Sequence, residues 1–204
     1  MNFDAKLWDE TEAKEPGEVE RLELGGHELV ILDAREYTSE VSGNTSLKIS
    51  VDIAGKDKQA GFFKKQYDNN TLSERKWPNG AVKYLSLKDE QIAYLKGFVT
   101  ALEKSNPNFK FDKKGKWDQL HNLKIAGQFG LEEFEDSEGK IKTATKLIQF
   151  RSLEKLNEIK IPSVKTLDGD FIEYEEYKKM MSNRTQNESN SSSPFEVKDE
   201  DLPF

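Results

Sequence analysis

The sequence predicts a mainly β fold with one well-formed helix inside it. Three observations carry this: separate segments in which apolar and polar residues alternate, turn residues between them, and a single stretch of helical periodicity. In Thr45 to Ala54, Leu47, Ile49, Val51 and Ile53 alternate with Lys48, Ser50 and Asp52, the mark of a half-buried strand. Gly26 to Leu32 reads as the strand before it, and Ser42-Gly43-Asn44 supplies the turn that makes the two an antiparallel pair. Gly61 to Asp68 is expected as a third strand, with Ala81 to Leu85 a further short one after the turn-rich Trp77-Pro78-Asn79-Gly80.

The helix is Asp89 to Lys104, with Ile92, Leu95, Phe98, Val99 and Leu102 on one face, Asp89 as N-cap and Asn106-Pro107 as its end. Two more strands follow, Leu123 to Phe134 and Ile141 to Arg151, joined by a hairpin loop at Asp136-Ser137-Glu138-Gly139. A short amphipathic helix is expected near Phe171 to Met181. Three strands, a helix and two strands is the order of a five-stranded OB-like Greek-key barrel with its helix between strands three and four.

Composition divides the chain. Residues 1–20 and 185–204 are strongly acidic, so although the whole chain carries −7, the body between them is slightly positive. From Ser182 to Pro194 nearly every residue is Ser, Asn, Thr or Gln, too polar to offset the entropy of ordering. The expected organisation is an acidic segment over 1–20, an OB-like domain over 21–181, a disordered linker over 182–198 and an acidic tip over 199–204. The absence of cysteine excludes disulfides, thiolate zinc sites and a cysteine nucleophile. With no apolar run of about 18 residues and no basic leader ahead of an apolar stretch, the expectation is a cytoplasmic protein without membrane contact.

Catalytic signals are weak. His27 and His121 belong to no spaced ligand motif and read as structural. The acids Glu132, Glu133, Glu135, Asp136 and Glu138 have the chemistry to bind Mg²⁺ as a nuclease does, but at a hairpin tip they read better as a solvated turn. No cofactor and no enzymatic activity are expected. The stronger pattern is cations interleaved with aromatics: Lys64, Lys65 and Tyr67; Arg75, Lys76 and Trp77; then Lys110, Phe111, Lys113, Lys114 and Trp117. Single-stranded nucleic acid presents unpaired bases that stack on aromatic rings beside phosphates that attract ammonium and guanidinium groups, which is this combination. The plainer reading of the same residues is core aromatics flanked by solvated lysines.

The end of the chain, Asp199-Glu200-Asp201-Leu202-Pro203-Phe204, resembles the acidic tip of bacterial single-stranded-DNA-binding proteins: acids, then Ile or Leu, Pro and a terminal Phe. That resemblance implies recruitment of replication and recombination proteins by these six residues, Phe204 filling an apolar pocket while the acids meet a basic rim. The body resembles a family of phage and prophage proteins of Gram-positive bacteria, regarded as OB-fold single-strand binders. It does so through Leu24-Gly25-Gly26-His27, Ser42-Gly43-Asn44, Val51-Asp52-Ile53-Ala54, Gly61-Phe62-Phe63, Lys76-Trp77-Pro78, Leu95-Lys96-Gly97-Phe98, Ser105-Asn106-Pro107 and Phe150-Arg151-Ser152. His27 departs from the aromatic expected after the glycine pair. The implied function is coating of single-stranded DNA in phage replication or recombination. Assembly into a homo-oligomer is compatible with it and not required. The rivals are an interaction factor that binds host replication proteins and hardly touches DNA, and the metal-dependent nuclease.

Overall fold

The computed structural model describes the backbone of residues 20–191 and the side chains of residues 20–183. Its centre is a sheet built on β1 (Gly25–Thr38), which pairs antiparallel with β2 (Thr45–Ile53) on one side and with β4 (Lys124–Glu135) on the other. Alternation along these strands sends Leu29, Ile31, Leu47, Ile49, Val51, Ile125 and Phe129 into the core. Each such side chain is worth roughly 1.5–3 kcal/mol of transfer free energy. A bulge between Ile31 and Asp33 shifts the β1–β2 register, so that Ala34 faces inward beyond it and β1 runs to Thr38, six residues past the expected end.

β3 (Val82–Ser86) pairs with β2, and β5 (Ile141–Arg151) pairs with β4 through a hairpin. As expected, Gly139 at φ 76° takes the conformation that turn requires. The short strands β6 (Val164–Lys165) and β7 (Phe171–Ile172) extend the sheet beyond the far half of β4, where Lys165 lies parallel to Glu132. The fold is thus mainly β, and among the described residues the sheet is mixed, seven-stranded and open.

A closed five-stranded barrel does not form, because β3 and β5 approach each other without a hydrogen-bonded ladder. At one end the backbone of the turn Asn79–Ala81 fills the gap, so close that a Cβ on Gly80 would stand 2.6 Å from the Thr145 carbonyl oxygen. Farther along, the ring of Phe98 packs on Phe150 at 4.8 Å and wedges the seam from below.

Residues 61–68 also depart from the strand expected there. The expected strand is a helix, α1 (Phe62–Asp68), started by Gly61 in the left-handed region at φ 69°. The buried Asp52 carboxylate accepts the backbone N–H of Phe63 at 3.0 Å and so takes one of the helix's unpaired donors. Phe62 and Phe63 enter the core while Lys64, Lys65 and Gln66 stay outside. The central helix is present as α2 (Ile92–Ser105), preceded by a 3₁₀ turn over Asp89–Gln91. Leu95, Phe98 and Leu102 are its buried residues. Asp89 makes no capping bond and Ile92 points outward. Asn106 ends the helix by donating to the Leu102 carbonyl, and it binds both backbone groups of Lys124 at the start of β4.

Near the end of the chain, Phe171 and Ile172 form β7, and the helix begins later, as α3 (Tyr174–Ser191). The disordered linker expected from residue 182 is helical backbone as far as Ser191. Residues 1–19, the rest of that linker over 192–198 and the tip Asp199–Phe204 lie outside the described residues. No helix among the described residues is long and apolar enough to cross a membrane.

Candidate nucleic-acid interface

The residues singled out from sequence fall into two groups. In the first, α1 carries Lys64, Lys65 and Tyr67, and the loop after it brings Arg75, Lys76 and Trp77 alongside. The Tyr67 and Trp77 rings are 5.6 Å apart, and the Arg75 guanidinium lies 5.5 Å from the Tyr67 ring. Trp77 is half-buried against the core and donates from Nε1 to the Val51 carbonyl at 3.1 Å, so its ring anchors the loop. Lys64 pairs with Asp68 at 2.7 Å, one turn on. Lys65 and Lys76 stand exposed.

In the second group, Phe111 and Trp117 stack at 5.6 Å with 28° between their planes. Trp117 donates from Nε1 to Glu36 of β1, and the Phe111 N–H is held by Glu103 of α2. Both rings are partly buried, leaving Lys110, Lys113 and Lys114 as exposed cations around a closed pair of rings. The two groups attach to the sheet at Val51, opposite Ile31, and at Glu36, opposite Leu47. Five residues of strand separate these points, ~16 Å. The fold does not bring the groups into one aromatic row.

A different set of side chains forms an open surface. On the outer face of β1–β2–β3, Lys48 lies between Arg35 of β1 and Tyr84 of β3 in the strand register. Diagonally across this row Tyr37 and Tyr84 meet at 5.5 Å, with the Lys48 ammonium 5.8 Å from the Tyr37 ring. These rings are 41% and 48% exposed, so ring surface is available to a base. Of this patch only Lys48 was legible beforehand, as a polar position in an alternating strand; the tyrosines join it solely through strand pairing.

Of the acidic run, Glu135 stands exposed and the other four are engaged within the protein. Glu132 binds Lys165 at 2.7 Å, and Glu133 accepts from the Tyr177 hydroxyl and the Leu167 N–H. Glu138 pairs with Lys140. Asp136 meets Lys142 at 2.6 Å and the N–H groups of Glu138 and Lys140. The Lys142 bond foremost, then the backbone donors, hold its carboxyl below the usual aspartate range. Among the described residues no three His, Asp or Glu side chains gather as a metal site. His27 is buried, with Nδ1 3.1 Å from Asp57 and Nε2 3.0 Å from the Glu23 carbonyl oxygen, and His121 Nδ1 meets the Leu32 carbonyl oxygen at 2.7 Å. Both therefore tie loops to β1. No protein-family model matches this sequence, and no curated protein matches it.

Proposed function

We propose that the chain is a single-stranded-DNA-binding protein with an OB-like sheet, acting in phage replication or recombination and recruiting partner proteins through Asp199–Phe204. The observation that carries this reading is the exposed Tyr37–Tyr84 pair with Lys48 over one ring and Arg35 alongside. Two stacking platforms beside two cations on an open sheet face suit a strand whose bases are unpaired. The pairings β1–β2, β2–β3, β1–β4 and β4–β5 support it too, being those of an OB-type Greek key that lacks only the β3–β5 link. Duplex hides its base faces and gains nothing from such rings.

The test is titration of the full chain against labelled oligo(dT) and the matching duplex by fluorescence anisotropy over a salt series. Single strands are expected to bind far more tightly than duplex, with affinity falling as salt rises. Equal affinity for duplex, or no binding of single strands at low salt, overturns the reading. The overall charge of −7 favours the rival, a protein-interaction factor that leaves DNA alone. That rival predicts the second outcome, together with capture of replication proteins that is lost on Phe204→Ala.

A further inference from the structure

The seam that keeps the sheet from closing is a cleft of about 630 Å³, walled by the unpaired edge of β3 over Lys83–Ser86, by Ile148–Arg151 of β5 and by one side of α2. Its floor is apolar, made by the packed rings of Phe98 and Phe150. Its rim carries Lys83, Lys104, Arg151 and Lys155, and no carboxylate lines it. Lys104 is held loosely by Glu154 at 3.5 Å, both side chains more than half exposed. Arg151 and Lys155 are exposed. The Tyr94 ring stands at the mouth, 75% exposed. Lys104 leans on Glu154 and Lys83 faces Glu132, so four cations share two acids, and the remaining excess of positive charge favours an anion. The two strand edges add the polar backbone groups that make sheet edges suited to anions.

One residue connects this cleft to the outer face: Tyr84 meets Tyr37 there, the two ring planes tilted by 56°, and also lines the cleft. We propose that the seam is a second binding segment for the same single strand. The strand leaves the Tyr37–Tyr84 face, turns over the β3 edge and lays its phosphates against Lys83, Lys104, Arg151 and Lys155, with a base on Tyr94. This rests on the single-strand-binding reading and extends it, because it gives the strand a bent path longer than the face alone. The cleft's volume suits roughly one or two nucleotides, in the range of pockets that enclose small ligands. An acidic peptide shares the negative charge, but it would not require a site continuous with the tyrosine pair.

The test uses the full chain and two variants. Arg151→Gln/Lys155→Gln removes two exposed rim cations. Gly97→Glu places a carboxylate in the cleft from a helix position where an added Cβ meets nothing within 4 Å. Lys56→Gln/Lys58→Gln, away from the seam, is the control for an equal loss of charge. Binding of labelled dT of about 6 and about 30 nucleotides is measured against salt, with a polyglutamate peptide as a second probe. The seam double variant is expected to lose about tenfold in affinity for the long strand while leaving the short one within about twofold. Its salt slope should fall by about 1.4, the loss of two phosphate contacts at ~0.7 each. Gly97→Glu should act in the same direction. An unchanged long-strand affinity overturns the seam path, as does an equal loss for both lengths, an equal loss in the control, or an effect confined to polyglutamate. If wild type binds no single strand at all, the face and the seam fall together; if it binds normally and only the seam variants are silent, the seam alone falls.

Discussion

Two kinds of aromatic residue beside cations occur in this molecule, and they have opposite fates. Trp77 and Trp117 follow directly after Lys76 and Lys116 in the chain, and both are drawn inward, their indole N–H groups bonded to Val51 and Glu36. Tyr37 and Tyr84 lie 47 positions apart with no basic residue next to Tyr37, and they meet in the open beside Lys48. The difference is geometric. On a loop that packs against the sheet, a large ring gains more by covering apolar surface than by facing water, and its neighbouring lysines are left outside. On the outer face of paired strands the side chain has nothing beneath it to bury against, so the ring stays available.

Trp77→Ala tests the buried side of this contrast and should have the largest effect. It removes a half-buried indole and its bond to Val51, which is expected to cost about 3 kcal/mol in a urea melt. Strand affinity measured on the folded fraction should hardly change. A stable variant with lost affinity would place Trp77 in the binding surface.

Tyr37→Ala/Tyr84→Ala tests the open side. Each ring stacked on a base is worth ~1–3 kcal/mol, so the double variant should lose at least tenfold in affinity for oligo(dT) while its melting midpoint stays close to wild type. Lys64→Glu/Lys65→Glu, on α1 away from these rings, is expected to weaken binding less than the tyrosine pair does. A larger loss at the lysines would return the interface to the region first read from sequence.

Lys83, at the seam, is both partly buried and charged, and its replacement should have a small effect. Burial foremost, and then the nearby Lys165, pull the Lys83 ammonium below the ordinary lysine value of 10.5, while Glu132 opposes them. The unfolded chain therefore binds the proton more readily than the fold does. Stability should rise as pH climbs through the folded value and level off above 10.5. Lys83→Met should abolish that rise and gain about 2 °C in Tm at neutral pH. It should also weaken binding of the long strand, separating a cation kept for an anion from one kept for stability. A lower Tm would show that Lys83 stabilises the fold.

Much of the fold was legible because it is encoded locally. Alternation at Leu47, Ile49, Val51 and Ile53 dictates a strand, though the half-buried strand expected from it is covered on both faces from Ser50 on, where Ser50 and Asp52 are buried as well. Gly139 dictates a turn, and Leu95, Phe98 and Leu102 dictate a helix, whatever lies across from them. The segment at Phe62–Asp68 was not legible, since two adjacent aromatics set neither period, and the helix is selected by Gly61 and by the distant Asp52 carboxylate. The candidate site divides in the same way. Local sequence places the cations and rings along the chain and encodes most of the strands and the central helix. Which rings remain exposed, the lack of pairing between β3 and β5, and the sharing of one cleft by Lys83, Lys104, Arg151 and Lys155 emerge from packing across the whole fold. Exposure and convergence depend on residues dozens of positions apart, and pairing and packing choose among those partners in ways that no local period records.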